Sequence, residues 1–356
     1  MTRKTRTAAR LGAVLLLAAA VAACGGRGSA GDGGEGEGAG AGGKFTIRVA
    51  HELTPQSVKG LTLQKFKELV EAKAGDQVKV EVYPNAELYG GAEAIEAVQN
   101  GSVEMTIGAT GDFVNIAPSL QVMDLPFVVE DYDEVPELTA PGTPVGDLIR
   151  ENPDLQKNNV KVLTVVGSGI KQVSSNKRIA TMADLSGQRI RTQQSPAEMR
   201  IFEGLGASPV PMEDFSQVYT ALEQGVVDGQ TNPYSTIASE SVYEVQKYIA
   251  EVNMGYTSYL VITGSDYWDT LPPDVQAEIE AAAAETQKYS LQLQRDENAA
   301  AKQTIAESGT EIVPFDDAER AKLKEALIPE VYESFSDVIG PEIVQSLIEK
   351  EQAEMH

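Results

Sequence analysis

The chain has 356 residues, with 53 acidic against 29 basic, two histidines and one cysteine, for a formal charge of −24. No basic stripe is present to neutralise phosphates, which argues against nucleic acid as a partner, and the acidity disfavours diffuse attraction to anionic lipid. A single cysteine leaves no internal disulfide and no thiolate metal site, and in so acidic a chain an anionic ligand would need a local, well-placed cation.

Arg3, Lys4, Arg6 and Arg10 precede an apolar run, Leu11 to Ala23, that has the length of a signal-peptide core and is too short for a membrane span. Val21-Ala22-Ala23-Cys24-Gly25 resembles the lipobox cut by the bacterial lipoprotein signal peptidase. That resemblance implies a lipoprotein signal peptide over 1–23, lipidation of Cys24 and an extracytoplasmic chain anchored to the cell membrane. The alternative is an ordinary cleavage site with a cysteine beside it. Loss of the four basic leader residues would take the charge from −24 to −28. Residues 24–43, mostly Gly and Ala, have nothing to bury and read as a disordered tether.

The body begins near Lys44. Phe45–Ala50 alternates apolar and polar residues as a strand does. A helix follows from Ser57 to Lys73, then a strand over Gln77–Tyr83, a helix over Ala92–Gln99 and a strand over Val103–Ile107. Val160–Val166 predicts another strand, with Gly167-Ser168-Gly169 as a crossover or hinge. Gln188–Thr192 is a strand, with helices from Pro196 and from Phe215 to Gln224. Strands are expected near Tyr248–Met254 and over Tyr259–Thr263. Alternating strands and helices imply α/β lobes. From Asp274 to Ser308 there is no Gly or Pro, and helix formers dominate. Pro273 suits its start and Gly309 its stop. Such a helix would be roughly 50 Å long at ~1.5 Å per residue. Without a sustained heptad, one helix spanning two lobes is the economical reading. Helices over Ala318–Leu327 and Pro341–Lys350 close the chain.

Several stretches together resemble a known family. They include Phe45–His51 (FTIRVAH), Ile95–Gly108 (IEAVQNGSVEMTIG), Met123–Phe127 (MDLPF), Asp184–Arg191 (DLSGQRIR) and Gly206–Gln230, which carries QVYTALEQGVVDGQ and runs on into Asn232-Pro233. From about Lys44 to its end the chain is similar to the substrate-binding proteins of the tripartite ATP-independent periplasmic (TRAP) transporters. The resemblance implies an α/β, two-lobed periplasmic-binding-protein-like fold with a hinge and a long helix spanning both lobes. It further implies lobe I over 44–168 and 257–297, and lobe II over 169–256 and 298–356. The implied partners are a small carboxylate and the TRAP membrane subunits, with no cofactor.

The resemblance also assigns roles. Arg191, in GQRIRTQ, would pair with the ligand carboxylate, a task suited to a planar guanidinium with two parallel donors. Asn232, in DGQTNP, would offer its amide as donor and acceptor, and Asn before Pro is equally a turn signal. Lys171 departs from the arginine that many relatives carry in the matching GFRQ-like stretch. It keeps the charge and loses the fork, and its alternative is an exposed lysine without ligand contact. His51, Thr110, Phe215, Tyr234 and Gln194 complete the candidate site, with a structural role as the alternative for His51 and the core for the two aromatics. No motif demands a metal, and only oxygen ligands are available for one.

Two other functions stay open from the residues alone. An extracytoplasmic hydrolase is disfavoured by one internal histidine and by the absence of G-x-S-x-G, H-E-x-x-H and P-loop motifs. A ligand-presenting partner of a membrane receptor would use the same capture chemistry.

Overall fold

The computed structural model describes residues 45–212 and 215–354; the expected signal peptide, Cys24 and tether lie outside them. The body opens as an alternating series: β1 (Phe45–Ala50), α1 (Val58–Ala74), β2 (Val78–Tyr83), α2 (Gly91–Gln99) and β3 (Met105–Ala109). Ser57 caps α1, its hydroxyl accepting the Gly60 N–H at 3.1 Å, so the expected first residue is the cap itself. Three short helices follow, α3 (Glu134–Thr139), α4 (Pro144–Arg150) and α5 (Pro153–Lys157), none of them expected.

The next strand, β4, runs from Val160 to Ser175 without a break. After it come β5 (Arg189–Thr192), α6 (Pro196–Gly204), β6 (Ser208–Pro211), α7 (Val218–Glu223), β7 (Gly229–Asn232) and α8 (Tyr234–Ser239). The second long strand, β8 (Tyr248–Gly264), joins the two segments expected separately. The chain ends with α9 (Ser265–Thr270), α10 (Pro273–Glu307), β9 (Glu311–Pro314), α11 (Asp317–Ser334), α12 (Ser336–Ile339) and α13 (Pro341–Glu354).

Among the described residues the nine strands form one sheet, in the order β2-β1-β3-β8-β4-β7-β5-β6, with β9 also on β8. The antiparallel pair β4–β8 is its spine. Early β4 pairs with late β8, and β3 adds to β8 there, carrying β1 and β2. Late β4 pairs with early β8, and there β7, β5 and β6 extend from β4 while β9 extends from β8. Two sheet halves thus share two strands, which is the two-lobed α/β arrangement. Between the halves the β4–β8 register shifts at Gly167/Gly169 and again at Lys171/Val173. Gly167-Ser168-Gly169 is therefore a bulged crossing inside a strand rather than its end. Bulges bend a strand without ending its pairing. A Cβ on Gly167 would lie 1.9 Å from the Tyr256 hydroxyl, and Gly169 has φ +140°, so both positions need glycine.

Helix α10 lies across both halves. Near its start Val275, Ile279, Ala282 and Ala283 pack into a core with Phe66 and Val70 of α1 and Val80 of β2. Near its end Ala301 and Ile305 join a different core, with Val218, Leu222, Ile237 and Ile249. Between the two, its buried face turns polar. Gln287 donates to the Val165 carbonyl at 2.9 Å, and the Tyr256 hydroxyl donates to Gln294 at 2.7 Å. Asn298 donates to the Ser168 carbonyl at 2.8 Å and accepts the Ser235 N–H at 3.0 Å. This helix is thus pinned to the crossing by amides.

Asn298→Ala would strand the buried Ser235 N–H and remove a bond to the crossing carbonyl, costing about 1–3 kcal/mol. Urea unfolding should show that loss against a near-neutral Gln303→Ala control on the exposed face of the same helix. Equal stabilities for the two variants would mean that Asn298 does not pin the helix.

Candidate functional site

Arg191 sits on β5, paired in register with Val210 of β6 and Gln230 of β7. It is only 3% exposed. One Nη2 bond reaches the Met212 carbonyl at 2.8 Å, and the guanidinium carbon lies 5.1 Å from the centre of the Phe215 ring. Its Nε is buried with no hydrogen-bond partner. Burial pushes its pKa down, while the Glu198, Asp112 and Glu52 charges oppose that; an arginine remains charged throughout. Arg189, two positions earlier, is exposed and forks onto Asp228, with bonds of 3.1 and 2.7 Å. Only one of the two arginines therefore keeps donor capacity inside the protein.

The guanidinium opens on a small cavity, on the order of a water molecule or two, lined by Glu52, Asp112, Arg191, Gln194, Met212 and Phe215 among others. Glu52 and Asp112 come from the β1–β3 half, and the other four from the β5–β6 half. The halves approach closely here: a Cβ on Gly111 would lie 3.4 Å from the Cβ atoms of both Gln193 and Ser195.

Lys171 is buried on β4, so it is not the exposed lysine of the alternative reading. Its Nζ donates to Glu198 Oε1 at 2.7 Å and to Gln193 Oε1 at 3.3 Å. The other Glu198 oxygen accepts the Gln193 N–H at 2.7 Å. Asp124 lines a second cavity with Lys171, Glu198 and Thr231. Burial pushes the Asp124 carboxyl up, and the Lys171 charge resists. Thr110 donates its hydroxyl to Asp124 Oδ1 at 2.7 Å, so that proton is committed within the protein.

The remaining candidates divide. Asn232, at the end of β7, is buried opposite Gln172 of β4 and donates to Gln230 Oε1 at 2.5 Å. His51 follows β1, wholly buried, with neither ring nitrogen partnered. Burial, then the Lys59 charge, pushes its pKa down to about 4, so it is neutral at pH 7. Tyr234 belongs to the apolar core beneath α10, with Val218, Ile237 and Ile305, and does not line the Arg191 cavity. Its aromatic ring serves the core alternative.

Sequence reasoning missed the acidic members: Glu52, Asp112, Asp124 and Glu198. One signal was available for Glu198. Ser195-Pro196-Ala197-Glu198 has the spacing of a helix capping box, and the Ser195 hydroxyl does accept the Glu198 N–H at 3.4 Å. The glutamate carboxylate, however, turns to Lys171. Glu52 is likewise tied to a cation, the buried Lys59, at 2.5 Å; that lysine also lies 4.3 Å from the centre of the Tyr259 ring.

Residues 49–337 match the family model of the bacterial extracellular solute-binding proteins, family 7 (DctP). The chain is similar to the C4-dicarboxylate-binding periplasmic protein DctP of Rhodobacter capsulatus, 34% identical over 303 residues that cover 85% of this chain and 89% of the relative. Among solved structures, a TRAP periplasmic solute binding protein from Shewanella oneidensis with bound succinate superposes with a TM-score of 0.80 at 28% identity, covering 86% of this chain and 99% of that one. The sugar acid binding protein DctPAm from Advenella mimigardefordensis, in complex with galactonate, gives 0.81 at 28% identity over 87% and 99%.

Lys171→Met would leave the Glu198 carboxylate buried without its cation, at a cost of about 3–5 kcal/mol, and the double change Lys171→Met with Glu198→Leu should restore a large part of it. Chemical denaturation of the three proteins tests this. A single variant within about 1 kcal/mol of the parent would show the pair to be unimportant for stability.

Proposed function

The chain belongs to the bacterial extracellular solute-binding proteins of family 7, and from that premise we propose that it captures a C4-dicarboxylate such as succinate and hands it to a TRAP-type membrane transporter. The observation that carries the reading is the Arg191 guanidinium: buried, held by one backbone carbonyl and the Phe215 ring, and with a donor left over beside a cavity. A carboxylate there gains charge-assisted hydrogen bonds in surroundings where water competes little.

Lys171 is the cation offered to a second ligand carboxylate, which would share it with Glu198, already bonded to it at 2.7 Å. It lies on β4 and is linked through Gln193 to the segment that follows Arg191. The dicarboxylate relatives described above, one by name and one by its bound succinate, support that choice over a monocarboxylate. The galactonate complex makes hydroxylated acids the alternative, for which Asn232 and Gln194 would supply the polar contacts.

The two halves meeting at the cavity would close on the ligand, with lobe I assigned to 44–168 and 257–297 and lobe II to 169–256 and 298–356. The break then falls at the Gly167/Gly169 register shift, opposite Thr257 and Ser258. Closure shifts a population between open and closed forms and needs no chemistry on the ligand. The closed form would dock on the TRAP membrane subunits while Cys24, through its lipid, keeps the protein at the membrane.

Arg191→Ala should weaken succinate binding by about 2–5 kcal/mol, roughly 30-fold to several thousandfold in Kd, with unfolding stability preserved. Isothermal titration, with thermal unfolding as the fold control, reads both. An Arg191→Ala protein that binds succinate as tightly as the parent would refute the assignment, and a parent that binds no organic acid would refute the function.

A further inference from the structure

The cavity beside Arg191 holds more negative charge than its proposed cargo tolerates. Among the described residues its lining contains one guanidinium and two carboxyls, Glu52 and Asp112. Glu52 is tied to Lys59 at 2.5 Å. Burial pushes the Glu52 carboxyl up, but the charge and hydrogen bond of Lys59 outweigh that and hold it below the usual range. Asp112 has no such cation in contact. One of its oxygens accepts the Ala109 N–H at 3.0 Å, and its half-buried side chain lines the cavity.

The charged groups around Asp112 are of both signs. From the β1–α1 connection comes Glu52, from α1 the Lys59 already bound to it, from β8 the Tyr259 ring, and from β5 Arg191. Helix α2 presents Gly91 to the cavity and keeps Glu93 and Glu96 exposed. The 118–124 segment brings Asp124, bonded to Thr110. An incoming carboxylate would thus be a third anion beside Glu52 and Asp112, set against two cations, Arg191 and the Lys59 already paired with Glu52. Removing charges from water costs several kcal/mol per ion, and like charges in one site cannot all stay ionised. The cheapest relief is a proton.

We propose that Asp112 takes up that proton, so that the organic acid is bound together with one proton and the protonated carboxyl becomes a hydrogen-bond donor facing the ligand. This rests on the reading of the Arg191 cavity as the carboxylate site. Asp112 is suited to the role because its pKa in the protein is already pushed up to about 7, first by burial and then by the Glu52 charge. The sign of the linkage follows. Below pH 7 Asp112 is already protonated and binding takes up little. Above pH 7 it is ionised, a proton must enter with the ligand, and affinity falls toward tenfold for each further pH unit.

The test is calorimetric titration of the mature chain with succinate at pH 8, where both ligand carboxyls are ionised, in phosphate and in Tris. These buffers release protons with very different heats. The expected result is a buffer-dependent binding enthalpy corresponding to an uptake approaching one proton per site. In Asp112→Asn, whose amide oxygen can still accept the Ala109 N–H, succinate should bind with equal heats in both buffers and about tenfold more tightly at pH 8. If that variant does not fold, Asp112→Ser is read the same way. Succinate binding by the parent chain with equal heats in the two buffers overturns the proposal while leaving the carboxylate site standing. Buffer dependence that persists in the folded variant assigns the proton elsewhere and overturns it too. Absence of binding of any organic acid sinks the site and this inference together.

Discussion

One helix belongs to two cores, and much of the architecture follows from that sharing. Helix α10 gives its first turns to the core around Phe66 and Val70 and its last to the core around Ile237 and Ile249. A helix apolar along its whole buried face would weld the halves through continuous close packing, which resists small displacements. Instead its middle presents Gln287, Gln294 and Asn298 to the crossing of β4 and β8. Hydrogen bonds of this kind fix direction while tolerating small rotations. Together with the β4–β8 register shifts at Gly167/Gly169 and Lys171/Val173, they lie between the two cores.

A chain of charge −24 can hold an anion only if the local field departs from the global one. The described residues bury four cations, and three of these are already paired with carboxylates: Lys59 with Glu52, Lys171 with Glu198, and Lys324 with Glu130 and Glu351. Arg191 differs. Its fixed contacts are a backbone carbonyl and an aromatic ring, neither of which neutralises it. The ring face is favourable for a cation, and it holds the guanidinium flat without consuming its donors. On the reading proposed above, the anion is held by the one buried cation that has no ion pair among the described residues, rather than by an abundance of positive charge.

Much of this was legible in the sequence, for reasons that can be assigned residue by residue. The 35-residue α10 announced itself because its helix formers run unbroken between Pro273 and Gly309. Period-two alternation located β1 and β2 within a residue or so. The long strands were less visible, because Gly167-Ser168-Gly169 and the Met254-Gly255-Tyr256 region carry punctuation that usually means a turn. Here glycine instead makes room for Tyr256 and Asn298. Arg191 was legible through its motif and Lys171 through its departure from one. The carboxyls were not, since acidic residues are common in this chain and each acquires meaning only from a partner distant in sequence. Glu198 meets Lys171 across 27 positions, and Asp112 meets Glu52 only once β1 and β3 lie side by side. Tyr234 shows the reverse error, a residue beside a motif that packs into the core.

The distribution of these charges between the halves has a further consequence. Glu52, Asp112 and Asp124 come from the part of the chain that precedes β4, whereas Lys171 and Arg191 stand on β4 and β5. With Lys59 beside Glu52 and Glu198 beside Lys171, the first wall keeps an excess of acid and the second the charge of Arg191, which attracts Asp112 across the cleft. An entering carboxylate is welcomed by one wall and repelled by the other, so it cannot act as a simple bridge between two positive surfaces. It must displace part of an existing attraction, and the site stays closed around it only if the acidic wall gives up some of its charge. The number of carboxyls in this cleft looks unfavourable for an anion-binding protein, and with Asp112 protonated as proposed it would tie retention of the cargo to pH.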